Sequence, residues 1–183
     1  MDFQPRLKSL ILRGEGSVDH MYLCSAGKVT IGVGNMLPNA EAAGKLPFHF
    51  RQDNNRANIN LITDEFILIS KQEKGKKAKY YEKFCHLYLP HEEILKLLDH
   101  RLDEFGKRLR MDFPGFDNFP DNAKLGLFDM AFNLGNHGLV NKFRNFTRAA
   151  RSQDWSTCAT ECKRNGISDS RNQEVRELFE ACV

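Results

Sequence analysis

A chain of 183 residues is the size of one domain, at most two lobes sharing a core. Counting glycine and leaving out tyrosine, apolar residues make up about 46% of it, ordinary for a globular protein; this excludes a disordered tail, a collagenous repeat and a disulfide miniprotein. Lys and Arg number 27 against 24 Asp and Glu, a formal charge of +3, a mild basic bias compatible with an anionic polymer as partner.

No uncharged apolar run approaches the roughly 18 residues of a membrane span, and the first residues carry no signal-peptide h-region. The expectation is a chain that does not insert in membranes, made in the cytoplasm and released or delivered by another system. Residues Lys71 to Lys83 hold six Lys and two Glu, a composition that suits a solvated loop or helix face; without a recognised binding motif, nucleic acid is not expected as a partner. The five cysteines (Cys24, Cys85, Cys158, Cys162, Cys182) include no CxxC pair. Cys158 and Cys162 are spaced to share one helix face, which suits core packing better than a disulfide. His86, His91 and His100 are scattered, not at metal-ligand spacing. No metal and no cofactor is expected.

Along the chain, Phe3 to Arg13 places Leu7, Leu10 and Ile11 at the 3/4 spacing of a short amphipathic helix. Gly14 and Gly16 bracket Glu15, so this acid falls where the helix ends. Met21 to Cys24, a turn over Ser25 to Lys28, and Val29 to Gly34 read as a hairpin. Residues 35–89 are less legible: Arg51 to Asn60 has loop composition, and Phe66 to Ile69 is apolar without a periodicity that decides helix or strand. From Pro90 to Arg110 the residues Ile94, Leu98, Leu102, Phe105 and Leu109 repeat every three or four positions, predicting a long helix with acids at its start and bases at its end. A strongly apolar helix follows over Asn122 to Leu134, stopped by Gly135. Further helices are predicted at about Val140–Arg151, Trp155–Lys163 and Asn172–Cys182, with Trp155 packing at the start of its helix.

The chemistry concentrates at Glu15, Tyr22, Cys24, Gly27 and the string Thr30-Ile31-Gly32-Val33-Gly34. A carboxyl at a helix end would face a hairpin carrying a thiol and a hydroxyl, with Cys24 and Thr30 opposite one another across the turn. Half-burial of a carboxyl favours its neutral form, which can donate a proton.

With this spacing the sequence resembles the phage-type lysozymes, or muramidases. Eight residues separate Glu15 from Cys24 and five separate Cys24 from Thr30, the spacing of that family's Glu, Asp or Cys, and Thr; TIGVG matches its Thr-Ile-Gly-x-Gly string. DMAFNLG (Asp129 to Gly135) looks like the family's central C-lobe helix, the Pro90 to Arg110 segment its interlobe helix, and RNQEVRELF (Arg171 to Phe179) its C-terminal segment.

The resemblance implies a single α+β lysozyme-like domain over residues 1–183. A small β-hairpin-containing N-lobe (about 14–89) would be joined by a long helix (about 90–110) to an all-α C-lobe (about 111–183, with the N-terminal helix 3–13), the active site lying in the cleft. It implies hydrolysis of the β-1,4 bond between N-acetylmuramic acid and N-acetylglucosamine in peptidoglycan, with inversion. Glu15 takes the role of general acid, Cys24 stands where Asp is usual, and Thr30 helps position the attacking water. Asn133, Arg171 and Asn35 fall at substrate-side positions; Arg171 matches an Arg that pairs with the catalytic Glu, and Asn35 stands where His is frequent. Cys24 would either orient water as a thiol or act as a base once ionised, and Asp19 is the nearest alternative carboxylate. The expected setting is the bacterial periplasm or cell wall, the chain acting as a monomeric endolysin released through a holin or as a secreted antibacterial toxin with an immunity protein. A lytic transglycosylase and an inactive wall-binding module are the alternatives.

Overall fold

The computed structural model describes residues 2–183 and is an α+β protein, consistent with a lysozyme-like fold: mostly helical, with a small antiparallel sheet. The chain divides into two compact units, one formed by residues 15–101 and the other by residues 2–14 with 102–183. Among the described residues no helix is long and apolar enough to cross a membrane.

In the unit of residues 15–101, β1 (Val18–Leu23), β2 (Val29–Gly32) and β3 (Asn35–Met36) form a three-stranded antiparallel sheet in the order β1-β2-β3. The turn after β1 closes through Gly27 N–H donating to the Cys24 carbonyl at 2.8 Å, with Gly27 at φ 69°. Beyond the sheet come α2 (Ala40–Gly44), β4 (His49–Phe50), α3 (Ile59–Ser70), α4 (Ala78–Tyr81), a 3-10 turn (Glu82–Phe84) and β5 (Leu87–Tyr88), which pairs with β4. The apolar run that sequence left undecided is helix α3. Asn58 caps it, its side chain accepting from Leu61 N–H, and Ile62 and Ile69 face inward at helical spacing. The lysine run lies over the end of α3, a loop, α4 and the 3-10 turn. Its six lysines are exposed, while Tyr81 between them is buried and donates its hydroxyl to the Glu73 carbonyl at 2.7 Å.

The helix α5 (His91–Asp112) carries the division between the units, which falls after Arg101. Its Ile94, Leu98, Leu102 and Leu109 are buried, as the periodicity predicts.

In the other unit, α1 (Phe3–Glu15) buries Leu7, Leu10 and Ile11. The helix α6 (Asp121–Leu134) is buried along most of its length from Ala123 to Phe132 and stops at Gly135, whose φ of 69° suits a residue without a Cβ. Where one helix over Val140–Arg151 is expected, two form, α7 (Asn136–Lys142) and α8 (Arg144–Arg151). The break is at Phe143, with φ −103° and ψ 57°, outside the helical region. The helices α9 (Trp155–Glu161) and α10 (Asp169–Glu180) complete the unit, capped by Asp154 and Ser168. Trp155 is buried and edge-on to Phe119, with ring centroids 5.1 Å apart; Phe179 lies between Trp155 and Phe146 at 6.4 and 5.4 Å. This aromatic cluster is the heart of the C-terminal core. Cys158 and Cys162 are buried on one face of the α9 segment, and all five cysteines are free.

Candidate active site

Two groups of the sequence-derived site residues are positioned by separate parts of the chain. The first is built on the hairpin. In the β1–β2 ladder Tyr22 lies opposite Thr30 and Leu23 opposite Val29; a bulge between Val18 and Tyr22 lets Val18 pair with Gly32. The expectation that Cys24 and Thr30 oppose one another is therefore corrected: Cys24 continues the ladder toward the turn, donating its N–H to the Lys28 carbonyl at 3.0 Å. Two-residue periodicity still puts Tyr22, Cys24 and Thr30 on one sheet face, and the diagonal from Cys24 to Thr30 is within reach of side chains.

Thr30 is 2% exposed, and its hydroxyl donates to the Lys28 carbonyl at 2.9 Å. Partial burial of Cys24 pushes its thiol up. That effect is outweighed by hydrogen bonds to the thiolate from the Lys28 backbone, from the Thr30 hydroxyl when it turns from the Lys28 carbonyl to the sulfur, and from the Ala26 and Cys24 backbones, which hold the thiol below its ordinary value. The other four cysteines go the opposite way, chiefly through burial, with Cys85 and Cys158 each pushed up to about 12. Cys24 is thus the thiol whose surroundings favour the nucleophilic, basic form.

Tyr22 is the hub of this group. Burial raises its phenol most, the negative charges of Cys24 and Glu15 raise it further, and the Arg101 cation opposes them. Glu15, Cys24 and Arg101 therefore all act on one ring. Glu15 is the last residue of α1 and is exposed, not half-buried as the sequence suggests: the helix ends there, and Gly16, at φ 71°, turns the chain toward β1.

Arg101 escapes the sequence-derived set, although a signal was present. It interrupts the apolar stripe of α5 at the position seven residues after Ile94, where a cation needs acceptors. Its Nη1 donates to the Val33 carbonyl at 3.0 Å and also to the Gly34 carbonyl, holding the β2–β3 turn. A Cβ on Gly34 would stand 3.1 Å from Nη1, and its φ is +68°, so glycine serves both the turn and the approach of the cation. Asn35 follows at once in β3, partly buried and paired with Ile31. Asp19, the alternative carboxylate, accepts from Arg51 Nη2 at 2.7 Å and Nη1 at 3.2 Å, and His20 Nδ1 lies 3.2 Å away. Burial raises its carboxyl, but the Arg51 and His20 contacts prevail and hold it below its ordinary value.

The second group sits on α6 and α10. Asn133 is partly buried at the last turn of α6, one turn beyond Asp129 and on the same face. Arg171, on α10, donates from Nε and Nη2 to the Asp129 carboxylate at 2.8–3.3 Å and from Nη1 to the Gly14 carbonyl at 2.9 Å, the residue before Glu15 in the chain. Asp129 was not singled out by sequence, yet an acid inside so apolar a helix is the signature of a buried ion pair.

Among the described residues no group of three His, Cys, Asp or Glu side chains is arranged to hold a metal ion. Against protein-family models and curated proteins the chain finds no match.

Proposed function

We propose that the protein is a peptidoglycan muramidase, hydrolysing the β-1,4 bond between N-acetylmuramic acid and N-acetylglucosamine with inversion. The observation that supports this reading is the hairpin face shared by Tyr22, Cys24 and the buried Thr30, with Glu15 at the end of α1 where the chain leads into β1. Inverting hydrolysis needs an acid for the leaving oxygen and a separate group that activates water on the opposite face of the sugar. Glu15 serves as the acid. Cys24, held toward its thiolate, is the base that takes the water's proton, and Thr30 orients the water or the sulfur by turning its hydroxyl proton from the Lys28 carbonyl. Arg101 steadies the turn after TIGVG, and Asn133 and Arg171 serve on the substrate side. The working place is the periplasm or cell wall, the chain acting as an endolysin or a delivered antibacterial toxin.

A second reading, lytic transglycosylase chemistry, has one observation in its favour. Asp19, the nearest second carboxylate in sequence, is engaged by Arg51 and His20, and a transglycosylase uses the sugar's own hydroxyl instead of an activated water.

The deciding experiment is clearing of purified sacculi by the wild-type chain and by Glu15→Gln, with mass analysis of the released reducing ends. Hydrolysis adds one water to each cut, and Glu15→Gln is expected to lose activity on the order of a thousandfold. Anhydro ends select the second reading; absence of any released fragment, or full activity of Glu15→Gln, overturns both.

A further inference from the structure

The helix α3 is apolar on more than its buried side. Ile62 and Ile69 face the core, yet Ile59, Leu61, Ile67 and Leu68 are 42–53% exposed. Among the described residues seven large apolar side chains are exposed, and four of them are on this one helix. Apolar residues scattered singly over a surface need no explanation, but a concentration of them does. Leu61 and Leu68 stand two turns apart on one face, and Ile67 shares a face with Lys71, four residues on.

The lysine run begins where that helix ends. Lys71 is the C-cap of α3, and Lys74, Lys76, Lys77, Lys79 and Lys83 follow, all exposed. Of these six, among the described residues, only Lys76 pairs with a carboxylate, that of Glu73 at 3.0 Å. Six Lys against two Glu leave residues 71–83 with a charge of +4. The segment is also tied down at two points. Tyr81 donates its hydroxyl to the Glu73 carbonyl at 2.7 Å, and His20 Nε2 lies 3.0 Å from the Ala78 carbonyl. The ammonium groups of Lys76 and Lys83 lie 5.8 and 4.4 Å from the ring centre of the half-buried Tyr80, which gathers an aromatic among the cations.

We propose that the exposed side of α3 and the lysine run together form a docking surface for an anionic phospholipid bilayer. The lysines meet the phosphate layer, and Leu61, Ile67 and Leu68 enter the headgroup region beside it. Charge alone would suit any polyanion, but a soluble polymer offers aliphatic side chains nothing to enter. A folded partner would present a fixed matching shape, whereas long lysine stems around a short aliphatic patch suit a fluid surface. Asp64 opposes the arrangement. It is exposed on the same side, three residues before Ile67 and four before Leu68, and puts a negative charge among groups that approach phosphate. Contact is peripheral, since among the described residues no helix is long and apolar enough to cross a membrane. The inference is independent of glycan cleavage, because it concerns binding alone.

The test is flotation of the full chain with vesicles of phosphatidylcholine alone and of phosphatidylcholine with about one-third phosphatidylglycerol, at about 0.1 M salt. Soluble poly-L-glutamate serves as a polyanion without lipid. Binding at least about tenfold tighter to the anionic vesicles is expected, and Lys71→Gln with Lys77→Gln is expected to lose about tenfold there. Ile67→Ser with Leu68→Ser keeps the charge, and is expected to lose several-fold on anionic vesicles and nothing on poly-L-glutamate. Asp64→Asn is expected to bind the anionic vesicles more tightly. Equal binding to the two kinds of vesicle, binding to neither, or an unchanged affinity of the serine pair overturns the proposal. Poly-L-glutamate held as tightly as anionic vesicles assigns the lysines to polyanions in general and overturns it as well. Should the serine pair not fold, Asp64→Asn decides: tighter binding supports the surface, and unchanged or weaker binding overturns it.

Discussion

Arg171 and Arg164 converge on a single carboxylate, that of Asp129: Arg171 Nη2 lies 2.8 Å from Oδ1 and Arg164 Nη1 2.7 Å from Oδ2. Asp129 is wholly buried and Arg164 is 1% exposed, while Arg171 is partly open. The two cations are therefore unequal. Removing the carboxylate leaves Arg164 with its charge in the core and two of its nitrogens already without partners. Asp129→Asn is expected to cost about 3–5 kcal/mol, the range for breaking a buried pair from one side. Arg171→Met, whose guanidinium has some access to water, is expected to cost less. Urea denaturation of both variants measures the difference, and the account fails if Asp129→Asn costs under about 1 kcal/mol.

The Asp19–Arg51 pair is stabilising in a pH-dependent way. Burial raises the Asp19 carboxyl, yet the hydrogen bonds and charges of Arg51 and His20 together bring it below its ordinary value. An acid with a depressed folded-state pKa binds its proton more readily when unfolded. Its stabilisation is thus complete above the unfolded value of about 3.9 and is lost as pH falls through the folded value. The melting temperature of Asp19→Asn is expected to lie below wild type at pH 6–7 and to converge with it below about pH 4. Sacculus clearing by the same variant is expected to stay near wild type; a loss as deep as that of Glu15→Gln would transfer the water-handling role to Asp19.

Cys24 is expected to react first with iodoacetamide in the folded protein, with a midpoint in its rate–pH profile below the free-thiol value near 8.5. Burial works against this shift, and the hydrogen bonds from Lys28, Thr30, Ala26 and Cys24 itself overcome it. Thr30→Val removes one of those donors and is expected to move the midpoint upward. Mass spectrometry of the alkylated chain identifies the site, since Cys85 and Cys158 are buried and both pushed up to about 12. Labelling that begins at a buried cysteine, or a Cys24 midpoint above that of free cysteine, contradicts the geometry of the hairpin face. The same profile compared with the pH dependence of clearing links the thiolate to the reaction.

What could be read in the sequence followed from signals that are local. The periodicity of Ile94, Leu98, Leu102 and Leu109 places α5 because a helix repeats its buried face every three or four residues. Glycines at positions 27 and 135 mark ends because a positive φ is cheap only there. Phe66 to Ile69 hid its helix, since a short apolar run has no polar face to set its period; the Asn58 cap was the better clue. The break at Phe143 has no proline or glycine to announce it. The hairpin was legible, but its register was not: the turn closes Cys24 on Lys28, which sets Thr30 opposite Tyr22 instead of Cys24. Asp129 and Arg101 were missed for one reason. Each is a charge on an apolar stripe, and its partners, Arg164 and Arg171 for the first and the Val33 and Gly34 carbonyls for the second, lie more than thirty residues away in the chain.

Gly126 offers a test of how tightly the aromatic core is packed. It lies in the middle of α6, where alanine would ordinarily favour the helix by about 1 kcal/mol. A Cβ there would stand 2.5 Å from Cζ and 2.7 Å from Cε2 of Phe179, a fully buried ring between Trp155 and Phe146. The ring has no flexible tip to withdraw, so the overpacking cost of typically 1–3 kcal/mol outweighs the helical gain. Gly126→Ala is expected to destabilise the protein by about 1 kcal/mol in chemical denaturation. The decisive measurement is the double variant. Phe179→Leu alone opens a cavity and is destabilising, but Gly126→Ala on that background fills part of the space, so the two changes together are expected to cost less than their sum. Strict additivity would mean that the ring moves aside without strain, and the packing argument for glycine at this position would fall.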